Sequence, residues 1–376
     1  MCGIVGALLR KPITNTFRNA FNKASSKISH RGPDRSTCIS FGKPINAMLD
    51  FKRLAILDPS TSGDQPFKYE EGDRTIYTMC NREIYNHHEI WKKYELEPVS
   101  HSDCEVIPIM YKKFGLDSVN TMCNEFNSEH AFAIFDVDIN TGDYKLLLSS
   151  DRFGIRPLFV AWDNNGFYFS SELQGLPESC LESNDTHVER FKPRHYATIE
   201  KKDGKLGELE YHLYYNVKPD FTEYYELEIC LNGIRQRLEQ AVIDRLESDR
   251  PYGCLLSGGL DSSIVSAFAS KHLQKHGKTL RTFSIGMPGG VDEKYAKMVA
   301  KHIGSNHTHV EVSEQEFLDV IPDVIKTLGS FDITTVRAST GQYLLSKWIS
   351  ENTDIKVLAC GDFSDEEMGS YLYFLN

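Results

Sequence analysis

The sequence predicts an α/β fold in two domains, a mainly β domain over residues 1–200 and a parallel-sheet domain over residues 221–376. Two patterns support this prediction. The first 200 residues contain short apolar segments separated by Gly, Asn and Asp turns, which is typical of strands joined by hairpins. From about residue 221, short apolar segments alternate with helical patterns, which indicates a parallel sheet with helices on both faces. A chain of 376 residues is long enough to give each domain its own core.

The individual elements follow from the hydrophobic periodicity. In the first domain we expect strands at residues 48–51, 75–79, 131–136, 145–149 and 167–171. The connection between the domains is expected at 205–222. In the second domain, apolar residues at helical spacing from Leu227 to Leu246 predict a helix. It should be followed by a strand at 252–256, a helix from Ser262, a strand at 280–285, a helix from Asp292, a strand at 308–312, two further helices and a strand at 356–360.

The composition restricts the class of partner. A net charge of -11 and a pI near 5.7 argue against nucleic acid or an anionic membrane surface. No apolar run approaches the length of a membrane span, and the N-terminus lacks the basic region of a signal peptide. The nine cysteines lack the close pairs of a disulfide framework or zinc site, which indicates reduced thiols. We therefore expect a cytoplasmic protein that binds neither nucleic acid nor membrane.

Cys2 follows the initiator methionine directly, within the segment MCGIVG. If Met1 is removed, Cys2 carries a thiol and a free α-amine whose ordinary pKa is about 7.7–8.0. The amine can accept the thiol proton near neutral pH and later return it to a leaving amine. One residue then supplies both nucleophile and base. The alternative is a buried cysteine that opens the first strand, because free cysteines are among the most buried residues.

A glycine- and serine-rich segment, Ser257–Ser263 (SGGLDSS), lies between a predicted strand and a predicted helix. Gly258 and Gly259 allow a tight turn that presents backbone amides to an anion. The helix N-terminus and the Ser262 hydroxyl add donors, so the segment predicts a pyrophosphate site. Asp261 would repel phosphate unless a cation lies between them, and it therefore predicts Mg²⁺. The segment is not a Walker A loop, because Gly-Lys-Ser/Thr is missing; the alternative is a turn that only caps a helix.

Two downstream residues are consistent with a nucleotide at this edge of the sheet. Ile285 ends a predicted strand where an adenine would lie at the carboxyl edge. Asp292 comes soon afterwards and could contact the phosphates through a metal.

With these two features, the chain resembles the glutamine-hydrolysing asparagine synthetases of the bacterial B type, over residues 1–376. Further segments carry the resemblance in the family's order: HRGPD at 30–34, FKRLAILD at 51–58, NREIYN at 81–86, SDCE at 102–105 and DITTVRAST at 332–340. The resemblance implies a class II glutamine amidotransferase domain with an Ntn-type αββα sandwich. A PP-loop ATP pyrophosphatase domain with a doubly wound parallel sheet would follow it.

In the first domain, the resemblance assigns a glutamine site. It implies that Cys2 forms a thioester with glutamine and that Arg53 binds the α-carboxylate through both arms of its guanidinium. The side-chain amide of Asn81 and the following backbone N–H, that of Arg82, would form the oxyanion hole. Glu83 and Asp103 are implied to bind the substrate ammonium.

In the second domain, the resemblance assigns an ATP site and an aspartate site. The ATP contacts are implied for Leu256, Ser257, Gly258, Gly259, Asp261, Ser262, Ile285, Cys360 and Gly361. The aspartate contacts are implied for Thr334, Thr335 and Arg337. Asp362 would act as the base towards ammonia, and Asp261 and Asp365 would hold Mg²⁺.

Three features depart from the family pattern. Arg82 replaces a glycine, which costs energy if that position has a positive φ. Asp362 is one methylene shorter than the family's glutamate, and Phe363 is expected to crowd a backbone segment near ATP. The family's synthetase domain also continues well past the position of Asn376, so a shortened synthetase domain is expected.

The resemblance implies a two-site ligase that uses glutamine, aspartate and ATP. Glutamine hydrolysis would release ammonia, MgATP would adenylate the aspartate side chain, and ammonia would displace AMP to give asparagine. Two alternatives stay open: an amidotransferase that acts on another carboxylic acid, as in β-lactam ring closure, and a degenerate, non-catalytic relative. The removal of Met1 and the oligomeric state are also open, with a homodimer as one candidate.

Overall fold

The computed structural model describes residues 1–182, 184–216, 226–362 and 364–371. The chain divides into two compact units, Met1–Pro219 and Asp220–Asn376. Within the described ranges, every helix is too short or too polar to cross a membrane.

The first unit contains two antiparallel sheets. The strands in chain order are β1 (Gly3–Leu9), β2 (Arg35–Phe41), β3 (Ala47–Arg53), β4 (Phe67–Glu71), β5 (Arg74–Ile84), β6 (Ser128–Asp138), β7 (Tyr144–Ser150), β8 (Phe159–Trp162), β9 (Gly166–Ser170), β10 (His187–Arg190), β11 (His195–Lys202), β12 (Lys205–Leu206) and β13 (Glu210–Leu213). The first sheet has the order β10-β8-β9-β1-β3-β2. The second has the order β12-β11-β7-β6-β5-β4, with β13 paired to β11. All five predicted strands of this domain are confirmed.

Helices cover the outer faces of these two sheets. They are α1 (Asn15–Ser26), α2 (His87–Lys93), α3 (Val106–Phe114), α4 (Ser118–Glu125) and α5 (Glu178–Leu181), with 3₁₀ turns at Ser29–Arg31, Asp103–Glu105 and Leu173–Gly175.

Three apolar clusters separate the layers of the first unit. Ile4 of the first sheet packs with Phe135 of the second in the cluster between the sheets. Phe132, on the opposite face of β6, packs with Met110 of α3. Phe21 of α1 packs on the outer face of the first sheet. Because successive side chains of a strand point to opposite faces, each strand serves two clusters. The layer order helix–sheet–sheet–helix confirms the predicted αββα sandwich.

The second unit is built on a parallel sheet. Its helices are α6 (Leu227–Asp244), α7 (Leu260–Lys275), α8 (Val291–Ile303), α9 (Glu314–Asp319), α10 (Ile321–Leu328), α11 (Ile333–Asn352) and α12 (Ser364–Met368). Its strands are β14 (Tyr252–Leu255), β15 (Arg281–Gly286), β16 (Asn306–Glu311) and β17 (Val357–Ala359). All pairs are parallel, in the order β16-β15-β14-β17.

Helices pack on both faces of this sheet. Leu345 and Ile349 of α11 pack against Phe283 of β15 on one face. Val242 of α6 and Val265 of α7 join the cluster on the other face. The chain proceeds from β14 through β15 to β16 and then returns to the other side of β14 with β17. The strand order therefore reverses between β14 and β17, which confirms the doubly wound sheet and marks where such sheets bind ligands.

Several element boundaries differ from the expectation. Helix α7 begins at Leu260 rather than Ser262, because Gly259 adopts the extended backbone of an N-cap. Three helices, not two, separate β16 from β17: Ser313 opens α9 with a capping box, and α10 starts anew with a proline in its first turn. Helix α6 ends at Asp244, so Leu246 lies beyond it.

Candidate functional site

Cys2 lies immediately before β1, at a point where side chains and backbone hold it in place. Its Sγ is 3.4 Å from the amide nitrogen of Leu54 and 3.5 Å from the Leu54 carbonyl oxygen. The Arg31 guanidinium donates to the Cys2 carbonyl oxygen at 2.9 Å. Arg31 is itself fixed by an ion pair with Glu172 at 2.9 Å. The predicted nucleophile is therefore positioned by the end of β3 and by the 3₁₀ turn that carries Arg31.

Burial controls the protonation state of this end of the chain. It raises the pKa of the Cys2 thiol, although the neighbouring amine and the hydrogen bond from Leu54 oppose the shift. Burial also lowers the pKa of the Met1 amine to about 5, and the charges of Arg31 and Arg156 add to that effect. A pKa of about 5 leaves the amine uncharged at pH 7. With Met1 in place, the Cys2 nitrogen is a peptide amide and cannot accept the thiol proton, so the predicted use of Cys2 as both nucleophile and base depends on removal of Met1.

The alternation of β5 sorts the predicted oxyanion-hole residues. Met79 faces the cluster between the sheets, whereas Cys80 and Ile84 face the helices. Asn81 comes two residues after Met79 and therefore lies on the same face as Met79. The Asn81 side chain is buried, and its Nδ2 has no hydrogen-bond partner among the described residues. A buried amide donor without a partner is suited to receiving charge from a ligand.

The backbone amide of Arg82 lies at an edge of β5 that no strand of the described ranges covers. The amides on either side, those of Cys80 and Ile84, donate to the side chains of Gln65 and Asp103, each at 2.7 Å. Amides two residues apart in a strand point the same way, so the Arg82 amide also points away from β6. Arg82 lies within a regular strand and outside the left-handed region, so the expected cost of replacing glycine does not arise.

The Arg82 side chain points into the helical layer, away from Cys2. It is 4% exposed and stacks over the Phe126 ring, with 4.6 Å from Cζ to the ring centroid. None of its three guanidinium nitrogens has a hydrogen-bond partner among the described residues. His130 lies opposite Arg82 on β6, and burial followed by the charge of Arg82 lowers the pKa of His130. Two basic groups therefore share a layer in which only one can carry charge.

Acidic groups gather on the other face, near Cys2. Glu83 lies directly opposite Glu129 in the β5–β6 register. Burial, followed by the charge of Asp103, raises the pKa of Glu83, and the charge of Arg156 opposes that shift. Arg156 forms an ion pair with Glu129 at 3.2 Å. The predicted ammonium-binding pair, Glu83 and Asp103, is thus brought together, and Arg156 offsets part of its charge.

Sequence reasoning missed Arg156. The signal that could have found it is Asp151, which follows β7 and accepts the backbone amides of Phe153, Ile155 and Arg156 at 2.9, 3.0 and 3.1 Å. An aspartate that caps several amides in this way fixes the turn, and with it the arginine at the end of the turn.

Arg53 does not present an open guanidinium in this structure. Its Nη1 donates to the Ser60 carbonyl oxygen at 2.7 Å and to the Asp64 carboxylate, and its Nη2 donates to the Asp58 carbonyl oxygen. The side chain is buried. Arg35 holds the same Asp64 carboxylate through both oxygens, at 2.9 and 2.8 Å. The predicted carboxylate-binding residue is therefore already paired, and its partner Asp64 was not predicted from the sequence.

In the second unit, Ser257–Ser263 joins β14 to α7. Gly258 has φ +88°, and a Cβ there would lie 2.5 Å from the Ala296 backbone nitrogen in α8. The Ser257 hydroxyl is 3.0 Å from that of Ser262 and accepts the Gly259 amide at 3.3 Å. Helix α7 has no side-chain cap, so its first amides can bind an anion.

The loop after β17 packs directly on this helix N-terminus. A Cβ on Gly361 would lie 2.7 Å from backbone atoms of Asp261 and Ser262. Cys360 is exposed, whereas Leu256 is buried. The Leu256 backbone amide donates to the Phe283 carbonyl oxygen at 2.7 Å. Ile285 lies on β15, the neighbour of β14. The predicted ATP residues therefore collect at the carboxyl edge of β14, β15 and β17.

The predicted aspartate segment forms the N-terminal turn of α11, where Asp332 caps Thr335 by accepting its amide at 2.8 Å. Thr334, Thr335 and Arg337 are exposed. Gln342, seven residues and about two turns after Thr335, lies on the same helix face and donates to the Asp362 carboxylate at 2.9 Å. This contact, absent from the sequence prediction, joins the aspartate segment to the predicted base.

The metal assignment rests on donor chemistry. Asp261 lies in the first turn of α7, and Asp365 lies in α12 and accepts a hydrogen bond from Ser370. Carboxylate oxygens are the ligands that Mg²⁺ prefers, so these residues fit the ion. Phe363 lies outside the described residues.

Each of the two units matches a known protein family. The glutamine amidotransferase domain family matches residues 1–206, more than half of the 376 residues. The chain belongs to the glutamine amidotransferase family. The asparagine synthase family matches residues 233–376. Both matches confirm the resemblance predicted from the sequence.

Similar relatives are named as asparagine synthetases. Glutamine-hydrolysing asparagine synthetase 1 of Arabidopsis thaliana is 35% identical over 382 residues, which cover 100% of this chain and 61% of that protein. The human glutamine-hydrolysing enzyme is 38% identical, covering 93% of this chain and 64% of its own length. A probable asparagine synthetase of Acanthamoeba polyphaga mimivirus is 38% identical, with 92% and 63% covered. The chain thus spans about three fifths of the length of these relatives.

Replacing Arg82 by methionine should stabilise the first unit. Methionine matches the Arg82 side chain as far as Nε and removes a buried charge that has no hydrogen-bond partner among the described residues, so we expect the free energy of unfolding to rise by about 1–4 kcal/mol. Arg156→Met is the matched control, because it breaks a buried ion pair and should lower the free energy by about 3 kcal/mol. Urea unfolding of both variants measures this, and a lower midpoint for Arg82→Met would contradict the assignment.

Replacing Gly361 by alanine should disturb the junction between β17 and α7. The new methyl group would meet backbone atoms at 2.7 Å, so we expect a loss of about 1–3 kcal/mol in stability and weaker ATP binding. Gly341→Ala is the control: its Cβ would meet Phe317 at 3.6 Å inside α11, where alanine is favoured by about 1 kcal/mol. Unfolding curves and ATP titration distinguish the two, and equal behaviour would show that the junction tolerates a side chain.

Proposed function

We propose that the chain is a glutamine-dependent asparagine synthetase. In this proposal, residues 1–200 form the glutaminase domain and residues 221–376 the ATP-dependent synthetase domain. The observation that carries it is the combination, in one chain, of a positioned N-terminal cysteine and a glycine-rich loop at the switch point of a parallel sheet. The relatives that share both domains are named as asparagine synthetases.

The glutaminase half-reaction would use the groups around Cys2. After removal of Met1, the Cys2 amine takes the thiol proton as Sγ attacks the carboxamide carbon of glutamine. The Asn81 Nδ2 and the Arg82 amide stabilise the oxyanion. The proton then passes to the departing nitrogen, ammonia leaves, and water hydrolyses the thioester to glutamate. Glu83 and Asp103 bind the substrate ammonium.

Arg53 would bind the α-carboxylate of glutamine in the same half-reaction. A carboxylate that binds the Arg53 Nη1 would have to displace one of its acceptors, because Ser60 and Asp64 take both Nη1 hydrogens.

The synthetase half-reaction would take place at the carboxyl edge of the parallel sheet. The Ser257–Ser263 loop and the first amides of α7 bind the ATP phosphates, and Ile285 lies beside the adenine. Thr334, Thr335 and Arg337 bind aspartate so that its side-chain carboxylate attacks the α-phosphorus and pyrophosphate leaves. Asp362 then accepts a proton from ammonia as ammonia displaces AMP and forms asparagine.

Mg²⁺ held by Asp261 and Asp365 would neutralise charge on the phosphates. A cytoplasmic location and a homodimer stay predictions. A non-catalytic relative is the second candidate, because the Asp64 carboxylate already pairs with Arg53.

Replacing Cys2 by alanine should abolish glutamine hydrolysis. Without the thiol no thioester forms, so we expect glutamate release to fall by at least about 10³-fold, while synthesis from ammonium is unchanged. Cys38→Ala is the control, because Cys38 is an exposed cysteine of the same domain. Equal glutamate release by the Cys2 variant and the parent protein would remove Cys2 from the mechanism.

Aspartate should stimulate release of pyrophosphate from MgATP, with ammonium or glutamine as nitrogen donor. Asparagine formed in both conditions supports the complete reaction. Pyrophosphate release with another carboxylic acid, but not aspartate, would favour a different amidotransferase. Binding of ATP without either half-reaction would favour the non-catalytic relative.

A further inference from the structure

Arg53 carries an internal carboxylate at the position where the substrate carboxylate is expected. A terminal guanidinium nitrogen has two hydrogens, and those of the Arg53 Nη1 go to the Ser60 carbonyl oxygen and to Asp64. An incoming carboxylate can therefore reach this nitrogen only by displacing one of these two acceptors. Asp64 is the charged one, and it has the same chemistry as the α-carboxylate of an amino acid.

The charge balance leaves room for a second carboxylate. Two guanidinium groups, those of Arg35 and Arg53, share the single carboxylate of Asp64. Arg53 is 4% exposed, so its charge is poorly solvated, whereas the Arg35 and Asp64 side chains are 38% and 30% exposed. One more carboxylate at Arg53 would neutralise the group, and Asp64 would keep both of its contacts with Arg35.

The turn that carries Asp64 is built around the Arg53 guanidinium. A Cβ on Gly63 would lie 2.4 Å from the Arg53 Nη2 and 3.1 Å from the Asp58 carbonyl oxygen, so a side chain there would have to displace the guanidinium. At the other end of the turn, the Asp58 carboxylate accepts the Ser62 hydroxyl at 2.9 Å and the His101 amide at 3.0 Å. The turn is therefore anchored independently of the contact between Asp64 and Arg53.

We propose that Asp64 is an internal competitor for the α-carboxylate of glutamine at Arg53 and thereby sets the affinity of the glutaminase site. The inference rests on the proposed function, which places the substrate carboxylate at Arg53. Glutamine binds by taking the place of Asp64, which shifts onto Arg35. Arg35 is the second determinant, because it draws Asp64 away from Arg53.

A purely structural role for Asp64 makes the opposite prediction. If Asp64 only holds Arg53 in place, removing its charge weakens glutamine binding. If Asp64 competes, removing its charge strengthens binding. The sign of the change therefore separates the two roles.

The test measures binding of L-glutamine by calorimetry in the Cys2→Ala background, where no turnover occurs. We expect Asp64→Asn to lower the dissociation constant about tenfold, because a charge-assisted contact no longer has to be broken. Arg35→Gln should raise it, because Asp64 is then held by Arg53 alone. Asp64→Ser serves as a second variant if the asparagine variant does not fold. The α-amide of glutamine, which lacks the carboxylate, should gain nothing from either Asp64 variant.

Kinetics of the proteins that retain Cys2 provide the second readout. Asp64→Asn should lower KM for glutamine about tenfold and leave kcat unchanged, since the competition affects binding and not the thioester chemistry. An unchanged or weaker affinity in both Asp64 variants, with glutaminase activity present in the parent, overturns the competitor role alone. An equal gain for the α-amide also overturns it.

The experiments distinguish a failure of the proposed function from a failure of the competitor role. A parent protein without glutaminase activity, whose Asp64→Asn variant gains glutamine binding, supports the competitor and opposes the proposed activity. Absence of glutamine binding in the parent and in both Asp64 variants overturns both.

Discussion

The antiparallel pairing of β1 with β3 determines where Cys2, the proposed nucleophile, lies. Gly3 is opposite Lys52, so Cys2 comes beside the end of β3, where Leu54 contacts its sulfur. β1 lies between β9 and β3, and all seven of its residues are buried. A slip of one residue would exchange the two faces of β1 and move its apolar side chains out of their clusters. The core that stabilises the sandwich therefore also fixes the position of the nucleophile.

The alternation along β5 separates two kinds of chemistry. Asn81 and Glu83 point towards the face that carries Cys2, whereas the Arg82 side chain points to the helices. The proposed oxyanion hole needs from residue 82 only its backbone amide, which every residue except proline provides. The chain can therefore carry an arginine there without losing the donor. The arginine instead affects stability, because its buried guanidinium has no hydrogen-bond partner among the residues that the structure describes.

Much of the fold could be predicted from the sequence, because local pattern determines it, whereas most candidate site residues came from the family resemblance. Periodicity located five strands of the first unit and the four strands of the second, and Ser257–Ser263 contains residues suited to an anion-binding turn. Asp64 and Gln342 could not be predicted, since the partner of each lies on a different element of the fold. Arg156 was missed because the turn at Asp151, although visible in the sequence, does not reveal the ion pair at its end. Boundaries also shifted where a cap overrode periodicity, as at Gly259.

Two of the departures from the family pattern, Arg82 and Asp362, differ in what the proposed chemistry requires of each residue. At Arg82 the required atom belongs to the backbone, so the side chain affects stability rather than the donor. At Asp362 the required atoms belong to the side chain, so a neighbouring residue must position a carboxylate that is one methylene shorter. Gln342 can do this, because its side-chain amide donates to the Asp362 carboxylate. Gln342 lies on α11, the helix that begins with the predicted aspartate segment. A change at Asp362 is therefore coupled to the position of the aspartate segment, whereas a change at Arg82 is coupled to the helical layer around Phe126.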